Sequence, residues 1–213
     1  MKMMLGNHTS TKLVLLLALA SLRCPADTLL SAPPKPADFF VDDSFRRGWH
    51  EANVGAGALF SNLVRGTKRP NIEYSLFYIQ TAYTLTEPQG GAFYRGSFQF
   101  APEISGAGVF HGPGGYVASA TFWLRYDFVP KGWRLVPYIQ GGLGATVLDI
   151  PQNFDGKSFN FNLDAAVGAR YFIRPNCALN VEYRFQHISN ADIWMRNVGV
   201  NTSGPLAGIS FFF

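Results

Sequence analysis

Apolar and polar residues alternate with a period of two along most of the chain after residue 43. In residues 116–128, every second position is apolar: Tyr116, Ala118, Ala120, Phe122, Leu124, Tyr126 and Phe128. The positions between them include polar and charged residues: Ser119, Thr121, Arg125 and Asp127. Because side chains on a strand point alternately to opposite faces, this pattern predicts a β-strand with one apolar and one polar face.

About eight segments of this kind, separated by turn residues, follow one another along the chain. They are residues 49–61, 72–85, 94–104, 116–128, 134–147, 159–173, 177–189 and 206–213. Long connections at residues 62–71, 105–115, 148–158 and 190–205 alternate with tight ones at 129–133 and 174–176. Outer-membrane barrels show this alternation, with short periplasmic turns and longer outer loops. Only the connection at residues 86–93 is longer than a periplasmic turn should be.

Charged residues on the polar faces distinguish a membrane barrel from a soluble barrel with an apolar lumen. They are Arg125, Asp127, Asp164, Arg170, Glu182 and Arg184. Such residues suit a polar interior in which charges can pair. The chain also ends in Phe211-Phe-Phe213, and a terminal aromatic is typical of barrels inserted into the outer membrane. The sequence therefore predicts an all-β fold, an eight-stranded antiparallel transmembrane β-barrel of the outer membrane; a soluble lipid-binding barrel is the alternative.

The amino-terminal residues have the layout of a secretory signal. Lys2 and Lys12 precede an apolar run at residues 13–20, which is shorter than the ~20 residues that a membrane-spanning helix needs. We therefore expect residues 1–26 to be a signal peptide, residues 27–43 a periplasmic lead-in without regular structure, and residues 44–213 the barrel. The alternative is a helical anchor that is retained.

Net charge and cysteine content do not alter the prediction of an exported barrel. Removal of residues 1–26 takes away Lys2, Lys12 and Arg23 but no acid, so the formal net charge falls from +4 to +1. No nucleic-acid partner is expected, because binding a polyanion requires a clustered basic face. Without Cys24, Cys177 has no partner for an intramolecular disulfide. No His, Cys or carboxylate cluster has metal-ligand spacing, so no metal is expected.

The end of the seventh predicted strand carries candidate chemistry. His187 and Ser189 share the apolar face with Leu179, Val181, Tyr183 and Phe185, which in a membrane barrel faces lipid. A histidine can take the proton of a serine hydroxyl and activate it as a nucleophile. The alternative is a histidine at the membrane interface beside a serine that begins a loop.

The run His187-Ile-Ser-Asn-Ala191, followed by Asn197-Val-Gly199 and one last strand, resembles the lipid A 3-O-deacylase (PagL-type) family of outer-membrane barrels. The resemblance implies a hydrolase that removes the ester-linked 3-position acyl chain from lipid A and that uses no metal or other cofactor. It also implies that His187 is the general base, Ser189 the nucleophile and Asn190 a candidate oxyanion-hole donor.

One position departs from the family pattern. The third triad residue in that family is a glutamate fourteen residues after the histidine, and here that position is Asn201. An asparagine oxygen can hold an imidazole in one tautomer but supplies no charge to stabilise the imidazolium. Asp192 is the nearest acid that could substitute. A noncatalytic small barrel, structural or adhesive in role, is therefore the rival hypothesis.

Basic loop residues are candidates for contact with the phosphates of lipid A. We expect Arg196, Lys68 and Arg69 to play this part, and Arg65 and Lys157 are further candidates. Loops commonly carry solvated charges of this kind, which is the alternative. The expected partners are thus lipopolysaccharide and the outer membrane, with the assembly left open between a monomer and a homodimer.

Overall fold

The computed structural model describes residues 41–61, 69–91, 93–151 and 157–213. Within these ranges, eight antiparallel strands form a closed barrel in chain order. The strands are β1 (His50–Leu59), β2 (Glu73–Thr84), β3 (Gly96–His111), β4 (Tyr116–Phe128), β5 (Leu135–Leu148), β6 (Phe159–Arg174), β7 (Cys177–Ser189) and β8 (Val200–Phe212). β1 pairs with β8, with Glu51 opposite Phe212, and this pairing closes the barrel. The fold class predicted from the alternation is confirmed.

Two strands are longer than the sequence pattern predicts. β3 continues beyond residue 104 to His111, and β8 begins at Val200 rather than at residue 206. The added segments contain Gly106, Gly108 and Gly204, so they lack alternating side chains, yet they pair in register with their neighbours. The predicted connections at 105–115 and 190–205 were therefore too long, and the connections are residues 112–115 and 190–199.

The lead-in to the barrel also differs from the prediction where it is described. Val41–Phe45 forms a 3₁₀-helix instead of irregular chain. Phe45 is fully buried against Phe172 and Phe212, with ring centroids 5.8 and 5.5 Å away. The Ser44 hydroxyl donates a hydrogen bond to the Pro175 carbonyl at 2.9 Å. Burial of these groups in the barrel end orders the segment.

The predicted signal peptide, the rest of the predicted lead-in and the alternative of a helical anchor all lie outside the described residues. In the part of the chain that is described, no helix is long and apolar enough to cross a membrane.

The outer wall of the barrel is apolar and is graded from its ends to its middle. Exposed aliphatic residues occupy the middle: Ile79, Ile104, Leu124, Ile139, Leu143, Leu163, Val167 and Val181. Many exposed aromatic residues lie towards the two ends: Tyr83, Phe98, Trp133, Tyr171 and Phe213 at the end where β1 begins and β8 finishes, and Phe110, Tyr116, Phe159 and Phe161 at the other. Phe77 and Phe122 are exposed nearer the middle of their strands. This distribution is that of a membrane-spanning barrel, with an apolar band between two aromatic girdles.

The interior is polar at mid-height, as the sequence predicts, and three buried arginines organise it. Arg184 makes a bidentate ion pair with Glu103, at 2.6 and 2.9 Å, and donates a further bond to Glu182 at 2.8 Å. Arg170 binds Glu51 at 3.2 and 3.0 Å and also pairs with Asp127. Arg125 completes the set with bonds of 3.1 Å to Glu51 and 2.8 Å to Gln140.

Two apolar clusters enclose this ionic layer. The one at the end where β1 begins includes Val41, Phe45, Val129, Val136, Phe172, Ala178 and Phe212. The one at the opposite end includes Leu59, Ile72, Tyr74, Leu76, Tyr78, Val117, Leu148, Ile188, Val200 and Leu206. The second cluster lies inside the wall at the level of His187 and Ser189, so the outer face at that point rests on a packed interior.

We predict that Arg184→Ala lowers the free energy of unfolding by about 3–5 kcal/mol, because Glu103 and Glu182 would lose their cation inside the barrel. The measurement is urea unfolding in lipid vesicles, followed by tryptophan fluorescence and by the mobility of unheated samples on gels. The control is Arg46→Ala: Arg46 pairs with Asp43 at 2.6 Å but is 62% exposed, so its loss should cost less than about 1 kcal/mol. Equal losses in the two variants would contradict the prediction.

Candidate functional site

The end of β7 alternates outward-facing and buried residues. His187 and Ser189 are partly exposed on the outer wall, whereas Ile188 between them is fully buried and pairs with the buried Val200 on β8. The inward residues therefore anchor the strand end in the apolar cluster beneath it. This anchoring fixes the positions from which the two outward side chains project.

His187 is held by its cross-strand partner on β8. His187 and Asn201 are paired in the ladder, and His187 Nδ1 lies 2.6 Å from Asn201 Oδ1. An amide oxygen only accepts hydrogen bonds, so Nδ1 carries the hydrogen in this arrangement and Nε2 of the neutral ring carries the lone pair. The ring is thus oriented with a proton acceptor at Nε2. Asn201 lies on β8 and not in the loop that the sequence pattern predicts, and this position brings it to the histidine.

Ser189 and His187 border one small space in front of Gly199. Gly199 has a φ of +68°, and a Cβ atom built there would lie 3.4 Å from His187 Cε1 and 3.7 Å from Ser189 Cβ. The positive φ favours glycine at this position. Within the described residues, no hydrogen bond joins the Ser189 hydroxyl to the imidazole. Such contacts often tighten only when substrate binds.

The β7–β8 connection is held together by hydrogen bonds among its own polar residues. Asn190 is buried; its backbone N–H donates to Asn197 Oδ1 at 3.1 Å and its side-chain amide donates to the Arg196 carbonyl at 3.1 Å. Asn197 Nδ2 in turn donates to Asp192 Oδ1 at 2.9 Å. The structure therefore places Asn201 against His187, while Asp192, the other candidate for the third position, binds Asn197.

A strained turn follows Ser189 directly. Ala191 and Asp192 have φ values of 53° and 59°, and the Ile193 N–H donates to the Asn190 carbonyl at 3.1 Å. These are the features of a type I′ turn, which normally takes glycine or asparagine at its central positions. With Arg196 at 72°, all the non-glycine residues of positive φ in the described chain lie in this connection. Strain of this kind concentrates at functional sites, because the surrounding contacts must enforce it.

The basic residues predicted for substrate contact have different positions. Arg196 is exposed in the β7–β8 connection. Lys157, just before β6, places its Nζ 3.6 Å from the centroid of the Trp194 ring in that same connection. Arg69 lies between β1 and β2, and no hydrogen bond links it to His187 or Ser189 among the described residues; Arg65 and Lys68 lie outside those residues.

The surroundings of the site include residues that the sequence pattern did not single out. Leu163 on β6 pairs with His187 on the side opposite Asn201, and Phe161 pairs with Ser189. Only the register between β6 and β7 reveals these neighbours, since they lie more than twenty positions away in the chain. Across the described ranges, no three His, Cys, Asp or Glu side chains are grouped as a metal site would require.

Comparison with known sequences identifies the family. The sequence profile of the lipid A 3-O-deacylase (PagL) family matches residues 72–210, which is well over half of the chain. The chain belongs to the lipid A 3-O-deacylase family. The matched range includes His187, Ser189, Asn190 and Asn201. Among curated proteins, a sequence search finds no match.

Solved structures similar to this family member are outer-membrane barrels. The outer-membrane enzyme PagL superimposes with a TM-score of 0.50 at 17% identity, covering 74% of this chain and 97% of that chain. Neisserial surface protein A gives 0.54 at 19% identity, with 78% and 97% covered. The amino-terminal β-barrel domain of OprF from Pseudomonas aeruginosa gives 0.50 at 15% identity, with 78% and 98% covered. At these identities the likeness concerns the fold, and with the family it establishes an outer-membrane protein.

We predict that Asn201→Ala changes the tautomer of His187. In the wild-type protein, ¹⁵N NMR of the barrel in detergent micelles should show a neutral ring protonated at Nδ1, because Asn201 Oδ1 accepts that hydrogen. Without the amide oxygen, both neutral tautomers should be populated. His111, exposed at the end of β3, serves as the internal control and should not change. A ring that remains protonated only at Nδ1 in Asn201→Ala would show that another group orients it.

Proposed function

We propose that this protein hydrolyses the ester bond of the 3-position acyl chain of lipid A at the outer-leaflet interface. The observation that carries the proposal is the His187–Asn201 hydrogen bond, two residues from Ser189 on the lipid-facing wall. In a member of the lipid A 3-O-deacylase family, this arrangement presents a nucleophile and an oriented base to the hydrocarbon side of the barrel. Three of the four connections at the end where β7 finishes, residues 60–72, 149–158 and 190–199, have ten or more residues, and this end is expected to face outward.

In the proposed reaction, His187 Nε2 takes the proton of Ser189 as Oγ attacks the ester carbonyl carbon. The tetrahedral intermediate collapses when the bond to the sugar oxygen breaks, and the imidazolium gives its proton to that oxygen. The remaining acyl-enzyme is attacked by a water molecule, whose proton goes to Nε2. Breakage of the Ser189–acyl bond then releases the fatty acid, and Ser189 recovers its proton from His187.

Asn190 is the candidate donor to the oxyanion of this intermediate. It follows Ser189 directly, and its bonds to Arg196 and Asn197 fix its position in the connection. The strained turn at Ala191 and Asp192 then carries the chain away from the serine. Because its backbone N–H and side-chain amide already donate to these two residues, donation to the oxyanion requires the amide to turn towards Ser189 when substrate binds.

An apolar groove on the outer wall supports an acyl chain as the ligand. The groove has a volume of about 610 Å³ and is lined on its outward side mainly by small and apolar residues of β1, β6, β7 and β8: Ala56, Val167, Val181, Tyr183, Pro205 and Ala207. It lies further along β7 from His187, towards the membrane centre. Tyr183 is four residues from His187, which corresponds to roughly 13 Å along the strand. A chain esterified near Ser189 could therefore extend along the wall into this groove.

Two cations near the site suit the phosphates of lipid A. Arg196 is exposed in the connection that carries Asn190, and Lys157 lies over the Trp194 ring of the same connection. A guanidinium and an ammonium at the membrane surface attract phosphate groups. Lys68 and Arg69 remain candidates for the same role from the β1–β2 connection. The choice between a monomer and a homodimer also stays open.

A noncatalytic barrel is the second candidate, and Asn201 is the observation that favours it. A neutral amide orients His187 but cannot stabilise the imidazolium electrostatically, as a carboxylate does. If the reaction requires that charge, the protein would be a structural or adhesive barrel that retains the remaining residues of the motif.

We predict that Ser189→Ala lowers lipid A deacylation by at least about a thousandfold, because no neighbouring group can replace the nucleophile. His187→Ala should have nearly the same effect. The double variant should be little worse, since the two residues act as one unit. The measurement is mass spectrometry of lipid A after incubation with equal amounts of each folded barrel.

The matched control is Ser75→Ala. Ser75 also faces outward, on β2, and its loss should leave deacylation unchanged. Undiminished loss of the 3-position chain in Ser189→Ala would refute the nucleophile assignment. No deacylation by the wild-type barrel would favour the noncatalytic alternative.

We predict that Asn201→Glu retains or raises the rate of deacylation, because a carboxylate can both accept the Nδ1 hydrogen and stabilise the imidazolium. Asn201→Ala should lower the rate by about tenfold or more, since the ring loses its orienting partner. Asp192→Ala is the comparison, because Asp192 contacts Asn197 and not His187. The assignment of the third residue would be wrong if Asp192→Ala abolished turnover while Asn201→Ala had no effect.

A further inference from the structure

A second apolar depression lies on the outer wall, across β3 to β6. It has a volume of about 400 Å³, and its outward walls are Phe100, Phe122, Leu124, Leu143 and Leu163. Its floor is Gly141, where a Cβ atom would have no other atom within 4 Å. We call this depression the Gly141 notch. The notch exists because the strand presents no side chain at that outward position.

The register of the strands connects the notch to the candidate site. Leu163, on its rim, pairs with His187 on β7 and with Leu143 on β5. Gly141 pairs with Ala165, which pairs in turn with Phe185, the outward residue of β7 that precedes His187. Among the outward-facing rows of the ladder, Gly141 is therefore one row further along the strands from the β7–β8 connection than His187. It lies two strands to the side, which is roughly 10 Å.

The notch and the groove described above are separated by Ala165 of β6 and Phe185 of β7. We call this pair of residues the ridge. The outward residues of β6 run from Leu163, in the notch, through Ala165 to Val167, in the groove. Phe185 of β7 stands beside Ala165 at this point. A single extended chain that descends from Ser189 would occupy one of the two depressions and leave the other empty.

The apolar lining of the notch suits a hydrocarbon chain. Leu143 and Leu163 are 65% and 61% exposed, and the polar groups of Trp123 and Asp164 belong to residues whose side chains are buried inside the barrel. The outward surface thus offers contact to hydrocarbon and no hydrogen-bond donor or acceptor on a side chain. At this depth in the wall, the surrounding solvent is the hydrocarbon of the bilayer.

We propose that the Gly141 notch is a second acyl-chain subsite, which holds another chain of the same lipid while the ester to be cleaved is at Ser189. This inference rests on the proposed function and specifies its substrate class as a glycolipid with several acyl chains. A lipid with one acyl chain in the notch and another in the groove is positioned across the ridge. A lipid with one chain lacks the second contact, so the notch favours multiply acylated substrates.

The test fills the notch with Gly141→Leu. Open space at Gly141 means that the new side chain should not disturb the barrel, and Gly141→Ala provides a smaller step. We expect Gly141→Leu to lower kcat/KM for lipid A about tenfold, by excluding the second chain, and Gly141→Ala to have a smaller effect. Cleavage of a p-nitrophenyl ester with a single acyl chain should be unchanged. The control is Gly106→Leu: Gly106 also faces outward with nothing within 4 Å of a Cβ atom, but it lies on β3 outside both depressions.

A binding measurement separates this inference from the proposed function. In a Ser189→Ala background, native mass spectrometry should show lipid A retained by the barrel, and the retained fraction should fall when Gly141→Leu is added but not when Gly106→Leu is added. If the wild-type barrel does not cleave lipid A but retention depends on Gly141, the proposed function fails, and the notch stands only as a binding site for an acyl chain of lipid A. If cleavage proceeds and neither retention nor kcat/KM depends on Gly141, the subsite is refuted alone.

Two further results would overturn the subsite. Equal losses for the single-chain ester and for lipid A would mean that the substitution disturbs the site around His187 and does not exclude a second chain. A change from dimer to monomer in the mass spectrum of Gly141→Leu would mean that the notch is an interface between two copies of the chain. Unheated gel mobility of each variant checks that the barrels compared are folded.

Discussion

The pairing of three arginines with carboxylates inside the barrel is the interaction on which the rest of the structure depends. Arg125, Arg170 and Arg184 are almost completely buried, and each is bound to at least one glutamate. A charge in such a place is tolerated only when it is paired and hydrogen-bonded, so the strands that supply the partners must close in one register. A slip of one residue in any one of these strands would turn its charged groups towards lipid. β8 carries no charge of this layer but joins it through the Ser210 hydroxyl, which donates to Glu51, and the register of β8 against β7 places Asn201 opposite His187.

The sequence predicts the strands well where side chains alternate and poorly where glycine interrupts them. β4 and β7 have the predicted bounds because each has a clear apolar and polar face. The ends of β3 and β8 were assigned to loops, since Gly106, Gly108 and Gly204 carry no side chain to mark a face. Their strand structure comes from pairing with neighbours on both sides, which no local pattern contains.

The candidate site was predictable to a similar extent. His187, Ser189 and Asn201 could be selected from their spacing and from the family motif, because these features are local in the sequence. The partners of the interior arginines were harder to foresee: Glu51, which Arg170 binds, is 119 positions away, and only closure of the barrel brings the two together. The Gly141 notch escaped prediction for a related reason. It is formed by residues of four strands, and its decisive feature is a missing side chain.

The outward position of the site determines how a molecule can reach it. His187 and Ser189 project from the wall and not into the lumen, so under the proposed function a lipid would arrive by lateral diffusion within its own leaflet and would never have to leave the hydrocarbon. The encounter frequency then follows the number of lipids per unit area, not a bulk concentration. A soluble ester in the surrounding water competes poorly under these conditions, because it must first partition into the bilayer. The membrane therefore selects molecules that partition into the bilayer before any contact with the protein is made.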